Sequence, residues 1–120
     1  MSNKAAISLT TGLEDIEKVT IALLVAVAAA ESGRPTLMFL TKEAARLPLP
    51  GIAVGTGCEG CPGLPDLMKR YEVAGGQLLV CPLCFNARQL DAEQLPAHAR
   101  IGGTVQLWEW IGDGATTFSY

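Results

Sequence analysis

Short apolar runs at Lys4–Leu9, Thr36–Leu40 and Gln77–Val80 alternate with longer stretches rich in Ala and Leu, and no other feature restricts the fold as strongly. Runs apolar at nearly every position suit strands buried on both faces, as in parallel sheets whose crossovers are helices. The intervening stretches carry helix-end signals. Acidic residues around Asp15 open a helix reaching Ser32, which Gly33 and then Pro35 close. Leu64 to Ala74 holds Pro65 in its first turn and stops at Gly75-Gly76. Thr41 is placed as the cap of a short helix through Arg46, and Asp91 with Gln94 as a capping-box pair for a further turn. Thr104 to Ile111 reads as a helix after Gly102-Gly103, and Ala115 to Tyr120 as a last strand. These elements predict an α/β fold, a single-domain three-layer αβα sandwich over residues 1–120 with a mainly parallel sheet of about five strands.

At 120 residues, 49% apolar and 18% charged, the chain has the size and composition of one globular domain without a long disordered tail. A net charge of -3 gives no broad attraction for phosphate backbones or anionic membranes, so neither nucleic acid nor membrane is an expected partner. The most apolar stretch, Val19 to Ala30, is shorter than a bilayer span and reads as a buried helix. The first residues lack the pattern of a secretory signal or transit peptide, so the expected location is cytoplasmic. In that compartment four cysteines point to metal, redox or nucleophilic chemistry before structural disulfides.

The cysteines fall into two pairs of equal spacing, Cys58-Glu59-Gly60-Cys61 and Cys81-Pro82-Leu83-Cys84. The first lies in an irregular Gly- and Pro-rich loop from Leu47 to Gly63, with room for a short strand near Ile52 to Val54. Two CxxC turns can aim four thiolates at one tetrahedral zinc ion, so a metal site of Cys58, Cys61, Cys81 and Cys84 is one reading. The second pair instead follows a strand and continues as helix through Arg88, where open α/β sheets place ligands. A thiol in a first helical turn is favoured as thiolate and acts as a nucleophile, which makes Cys81 and Cys84 candidate catalytic residues. The same two could alternatively cycle through a disulfide as a dithiol redox pair. Buried cysteines acting simply as small apolar side chains are the remaining possibility.

The segment Leu78-Leu79-Val80-Cys81-Pro82-Leu83-Cys84-Phe85-Asn86-Ala87-Arg88 resembles the strand, cysteine and helix of DsrE-like proteins. Thr10-Thr11-Gly12-Leu13-Glu14-Asp15, Phe39-Leu40-Thr41-Lys42-Glu43-Ala44 and Leu107-Trp108-Glu109-Trp110-Ile111 also suit that family. The resemblance implies a small α/β protein forming homo-oligomers, trimers or hexamers, that relays sulfane sulfur as a cysteine persulfide between sulfur donors and acceptors, as a sulfur carrier or sulfurtransferase-like protein. It implies no cofactor, zinc entering only through the four-thiolate alternative. By position, Cys81 matches the sulfur-carrying cysteine, Cys84 a second cysteine found in some relatives, and Arg88 a basic substrate-binding residue able to steady a persulfide anion. Gln89 stands where glycine or a basic residue is frequent, and Cys58-Glu59-Gly60-Cys61 matches no motif of the family.

Other residues read as structural. His98, the single histidine, is expected on the surface between Ala97 and Ala99, too remote for a Cys-His pair. Trp108 and Trp110 point different ways on a helix, so one enters the core and the other can meet a neighbouring subunit. No glycine has phosphate-loop spacing, and Glu14, Asp15 and Glu17 belong to a solvated helix start.

Overall fold

In the computed structural model, which describes residues 2–120, the three apolar runs become β1 (Ala5–Leu9), β2 (Thr36–Leu40) and β3 (Gln77–Val80). Two further strands are β4 (Ala99–Ile101) and β5 (Thr116–Ser119), and the sheet order is β4-β3-β2-β1-β5 with every pairing parallel. Each pair of consecutive strands is bridged by a stretch containing helix, the connection that parallel neighbours require. All five residues of the central β2 are buried, whereas all four of the edge strand β5, with its Thr and Ser, are exposed.

The helices are α1 (Ile16–Glu31), α2 (Leu64–Val73), α3 (Pro82–Ala87) and α4 (Thr104–Ile111). Alternation along the strands sorts them into two layers. Ile7, Leu9, Met38, Leu40, Leu78 and Val80 pack with α1, α2 and Phe85 of α3 in the main core. On the opposite face Leu37, Phe39 and Leu79 meet Leu107 and Trp110 of α4. This is the three-layer α/β arrangement expected, with the second helical layer reduced to one short helix.

Asp15 caps α1 by accepting the Lys18 amide at 3.1 Å, and Gly33, at φ +90°, ends it in the left-handed region that glycine tolerates. The apolar stretch through Ala30 is not buried all round. Val19, Leu23 and Val27 face the sheet, while Ile21 and Leu24 are exposed on the outer side of the helix. Trp110 packs inward and Trp108 is 70% exposed, as their spacing on a helix requires.

Several local expectations change. No strand forms at Ile52 to Val54, where the chain turns between Gly51 and Gly55, both at positive φ. The short strand β4 occurs instead. Residues Lys42–Arg46 form a 3-10 turn in which Thr41 contributes its carbonyl to the Ala44 amide and no side-chain cap. Asp91 caps its turn through the Glu93 amide at 3.0 Å, and Gln94 makes no reciprocal side-chain bond. His98 is half-buried and not a freely exposed surface side chain. Its ring is 18% exposed, 3.3 Å from Glu72, and lines an apolar interior space with Leu78 and Tyr71. Among the described residues no helix is long and apolar enough to cross a membrane.

Candidate functional site: the carboxyl end of β3

β3 ends at buried Val80, and Cys81 is the first residue beyond it. The Cys81 amide still donates to the Leu40 carbonyl at 3.0 Å, so the sheet ladder fixes the backbone that carries the thiol. Pro82 occupies the first position of α3, where its missing amide hydrogen costs no bond. The turn closes when the Phe85 amide donates to the Cys81 carbonyl at 3.0 Å. Phe85, 1% exposed, anchors the six-residue helix in the main core.

Cys81 and Cys84 are both free and half-buried. They do not share surroundings: Cys81 packs against the Leu37, Phe39 and Leu79 cluster below α4, and Cys84 against the main core on the opposite face. The neighbouring turn from β4 into α4 closes the site laterally. A Cβ on Gly102 would stand 2.7 Å from Leu79, so only a residue without a side chain fits there as closely, whereas one on Gly103 would make an ordinary contact with the Pro82 ring at 3.9 Å. Gln106 fixes that turn by accepting the Gly103 amide at 2.8 Å.

At the far end of α3, Arg88 donates to the Cys84 carbonyl at 3.1 Å and to Glu43 at 2.6 Å. Glu43 also receives Arg46 at 3.0 Å. The Arg88 hydrogen bond, reinforced by Arg46, holds the Glu43 carboxyl below the usual carboxylate range. Arg88 thus ties α3 to the turn after β2, and that turn presses on the one after β1: a Cβ on Gly12 would lie 2.7 Å from the Glu43 carbonyl oxygen. Gln89, just beyond α3, adopts φ +54°, a conformation that glycine enters more easily. That is a physical reason for glycine to be common at this position. Glu43 escaped the sequence reading because its partner is distant along the chain.

His98 lies before β4, at the opposite end of the sheet from Cys81, and cannot serve it as a base. Burial lowers the His98 pKa from its ordinary value, with Glu72 opposing that effect.

Cys58 and Cys61 are joined to each other in a disulfide. The four sulfurs therefore do not form one ligand set, because two are consumed in a covalent bond and the other two pack on different faces. Among the described residues, no group of three or more His, Cys, Asp or Glu side chains is placed to hold a metal. Cys58, Cys61, Cys81 and Cys84 are thus not brought together as the four-thiolate zinc reading requires.

The fold has close counterparts. The structure of YchN protein from E. coli matches with TM-score 0.81 at 20% identity, covering 98% of this chain and 99% of that one. A protein of unknown function, MTH1491 from Methanobacterium thermoautotrophicum, matches with TM-score 0.71 at 8% identity, covering 99% and 100%. At such identities the likeness shows fold alone. No curated protein matches the sequence. The DsrE/DsrF-like family model matches residues 3–120, and the chain belongs to that family, which is generally associated with sulfur relay.

Proposed function

We propose that this protein is a cysteine-based sulfur carrier, with Cys81 holding sulfane sulfur as a persulfide. The observation that carries the reading is a free, half-buried thiol at the carboxyl end of an interior strand, on a backbone fixed by the sheet. Open α/β sheets bind ligands at that edge. A rigid platform suits a group that must meet two partners in turn.

In the loading step the Cys81 thiolate attacks the outer sulfur of a donor persulfide. A new S–S bond forms at Cys81, the donor S–S bond breaks, and the donor leaves as a thiolate. An acceptor thiolate then takes the terminal sulfur and Cys81 is regenerated, with no net oxidation in either step. Arg88 supports this site chiefly by orienting α3, given its bonds to Glu43 and the Cys84 carbonyl. Its charge also favours an anionic sulfur nearby.

Donor and acceptor proteins or small sulfur species are the partners in this reading, and the cytoplasm its setting. Assembly into a homo-oligomer, a trimer or hexamer, belongs to it as well. Exposed Trp108 and Val105 on α4 support a contact with a second copy.

The test is mass spectrometry of the intact protein after exposure to polysulfide, followed by peptide mapping. Added sulfur on Cys81, absent in Cys81→Ser, supports the proposal. Equal uptake by the Cys81→Ser/Cys84→Ser double variant would refute it. Formation of a Cys81–Cys84 disulfide in place of a persulfide would favour the dithiol alternative, against which stands the packing of the two sulfurs on different sides of the sheet.

A further inference from the structure

We propose that Cys58 and Cys61 form a second thiol site, a reversible dithiol–disulfide couple that exchanges two electrons with a dithiol donor. The proposal stands independently of the sulfur-carrier reading. Its basis is the way backbone bonds hold the joined pair and the buried Thr20 oxygen that lies beside Cys58.

The Cys61 amide donates to the Cys58 carbonyl at 3.0 Å, and Gly60 takes φ +77° to make the turn, leaving the two Cα atoms 5.2 Å apart. A second backbone bond, from the Leu64 amide to the Thr56 carbonyl at 3.0 Å, brackets both cysteines. Neither bond involves sulfur, so both hold the thiols within reach of each other once the disulfide opens. Opening also releases little chain, because a ring joining residues three apart restricts the unfolded state far less than a long one.

The reduced form has an acceptor in place. The Cys58 sulfur lies 3.9 Å from the hydroxyl oxygen of Thr20 on α1, a side chain only 1% exposed. Thr20 gives its single proton to the Ile16 carbonyl at 2.7 Å and keeps lone pairs toward the sulfur. A disulfide sulfur has no proton to offer it. A Cys58 thiol has one, and the protein has buried the matching oxygen beside it. The pair is also reachable, since both cysteines are half-exposed and Glu59 and Gly60 between them are exposed.

The exchange is balanced as follows. A donor thiolate attacks Cys61, whose sulfur lies beside the surface carbonyl of Glu59, and Cys58 leaves as a thiolate that takes up a proton. The donor's second thiolate attacks the mixed disulfide, closing the donor's own disulfide and releasing Cys61, which is then protonated. Two electrons pass from donor to protein, and two protons end on Cys58 and Cys61.

Trypsin cleavage after Arg46 and Lys69, and after Arg70 and Arg88, puts Cys58 with Cys61 on one peptide and Cys81 with Cys84 on another, so the two sites can be read separately in one sample. Folded wild-type protein is equilibrated with dithiothreitol and its cyclic disulfide at graded ratios, thiols are alkylated, and both peptides are weighed. The expected result is two alkyl groups appearing together on the 47–69 peptide while the far-UV circular dichroism is unchanged. Thr20→Val should need a reduced-to-oxidised ratio about two- to fivefold higher for half-opening, as loss of one weak hydrogen bond implies, with Thr20→Ser restoring the wild-type ratio. A disulfide that opens only in denaturant, or identical ratios for wild type and Thr20→Val, would overturn the proposal.

Discussion

Cys58 and Cys61 are joined across a loop turn, whereas Cys81 and Cys84, at the same spacing, remain free at the end of a strand. The difference lies in the backbone. Around Gly60 the chain makes a tight turn in which both sulfurs point to a common space. At Cys81 one residue is the cap of a helix and the other sits in its first turn, with a different hydrophobic cluster claiming each side chain. Equal spacing therefore yields a joined pair of sulfurs in one place and two separate thiols on a rigid support in the other.

The sharpest way to break this contrast is sulfur loading. Cys81→Ser should reduce persulfide formation to background while Cys58→Ser/Cys61→Ser still loads at Cys81, as read by intact mass; equal losses in the two variants would erase the division of roles. Stability comes next. Phe85→Ala removes the anchor that fixes Cys81 and Cys84 and should cost about 3–5 kcal/mol in urea unfolding. Leu83→Ala in the same helix, at a side chain 81% exposed, should stay within about 0.5 kcal/mol.

Removing the loop disulfide is a smaller perturbation. Cys58→Ser/Cys61→Ser should lower the stability of oxidised protein by about 2 kcal/mol, the scale for so short a ring, and should match wild type kept in reductant. A much larger loss would mean that the disulfide is structural. The smallest effect concerns pH. The Glu43 carboxyl has a folded pKa depressed by Arg88, so its contribution is present above the ordinary carboxylate value and is lost as pH falls through the depressed one. The Tm difference between wild type and Glu43→Gln should accordingly be largest near about pH 7 and shrink towards about pH 3. A constant difference would show that the Glu43–Arg88 contact holds α3 by hydrogen bonding alone.

Much of the architecture was legible along the chain. β1, β2 and β3 announce themselves as apolar runs because both faces of an interior parallel strand must be covered. Gly33, Pro65 and Gly75 mark helix ends through backbone preferences that operate residue by residue. β4 could not be read this way: Ala99-Arg100-Ile101 is short, partly exposed and follows Pro96, and is a strand only because β3 pairs with it. Ile52 to Val54 shows the reverse, an apolar stretch left without a partner strand between two positive-φ glycines.

The candidate site divides along the same line. Strand followed by cysteine, proline and helix was visible at Cys81 because strand end and helix start are local events. The pairing of the cysteines was not, since the same spacing serves a zinc knuckle, a dithiol and a helix start. Burial of His98, the clasp of Glu43 on Arg88 and the approach of Gly12 to the turn after β2 all join segments far apart in the chain. The sequence by itself determined the sheet's interior strands, the limits of the two longest helices and the position of Cys81, because these follow from near-neighbour conformational preference and apolar periodicity. Only the tertiary structure decided which sulfurs bond, which charges meet and which polar groups lose water, because those depend on contacts that exist only once the layers have packed.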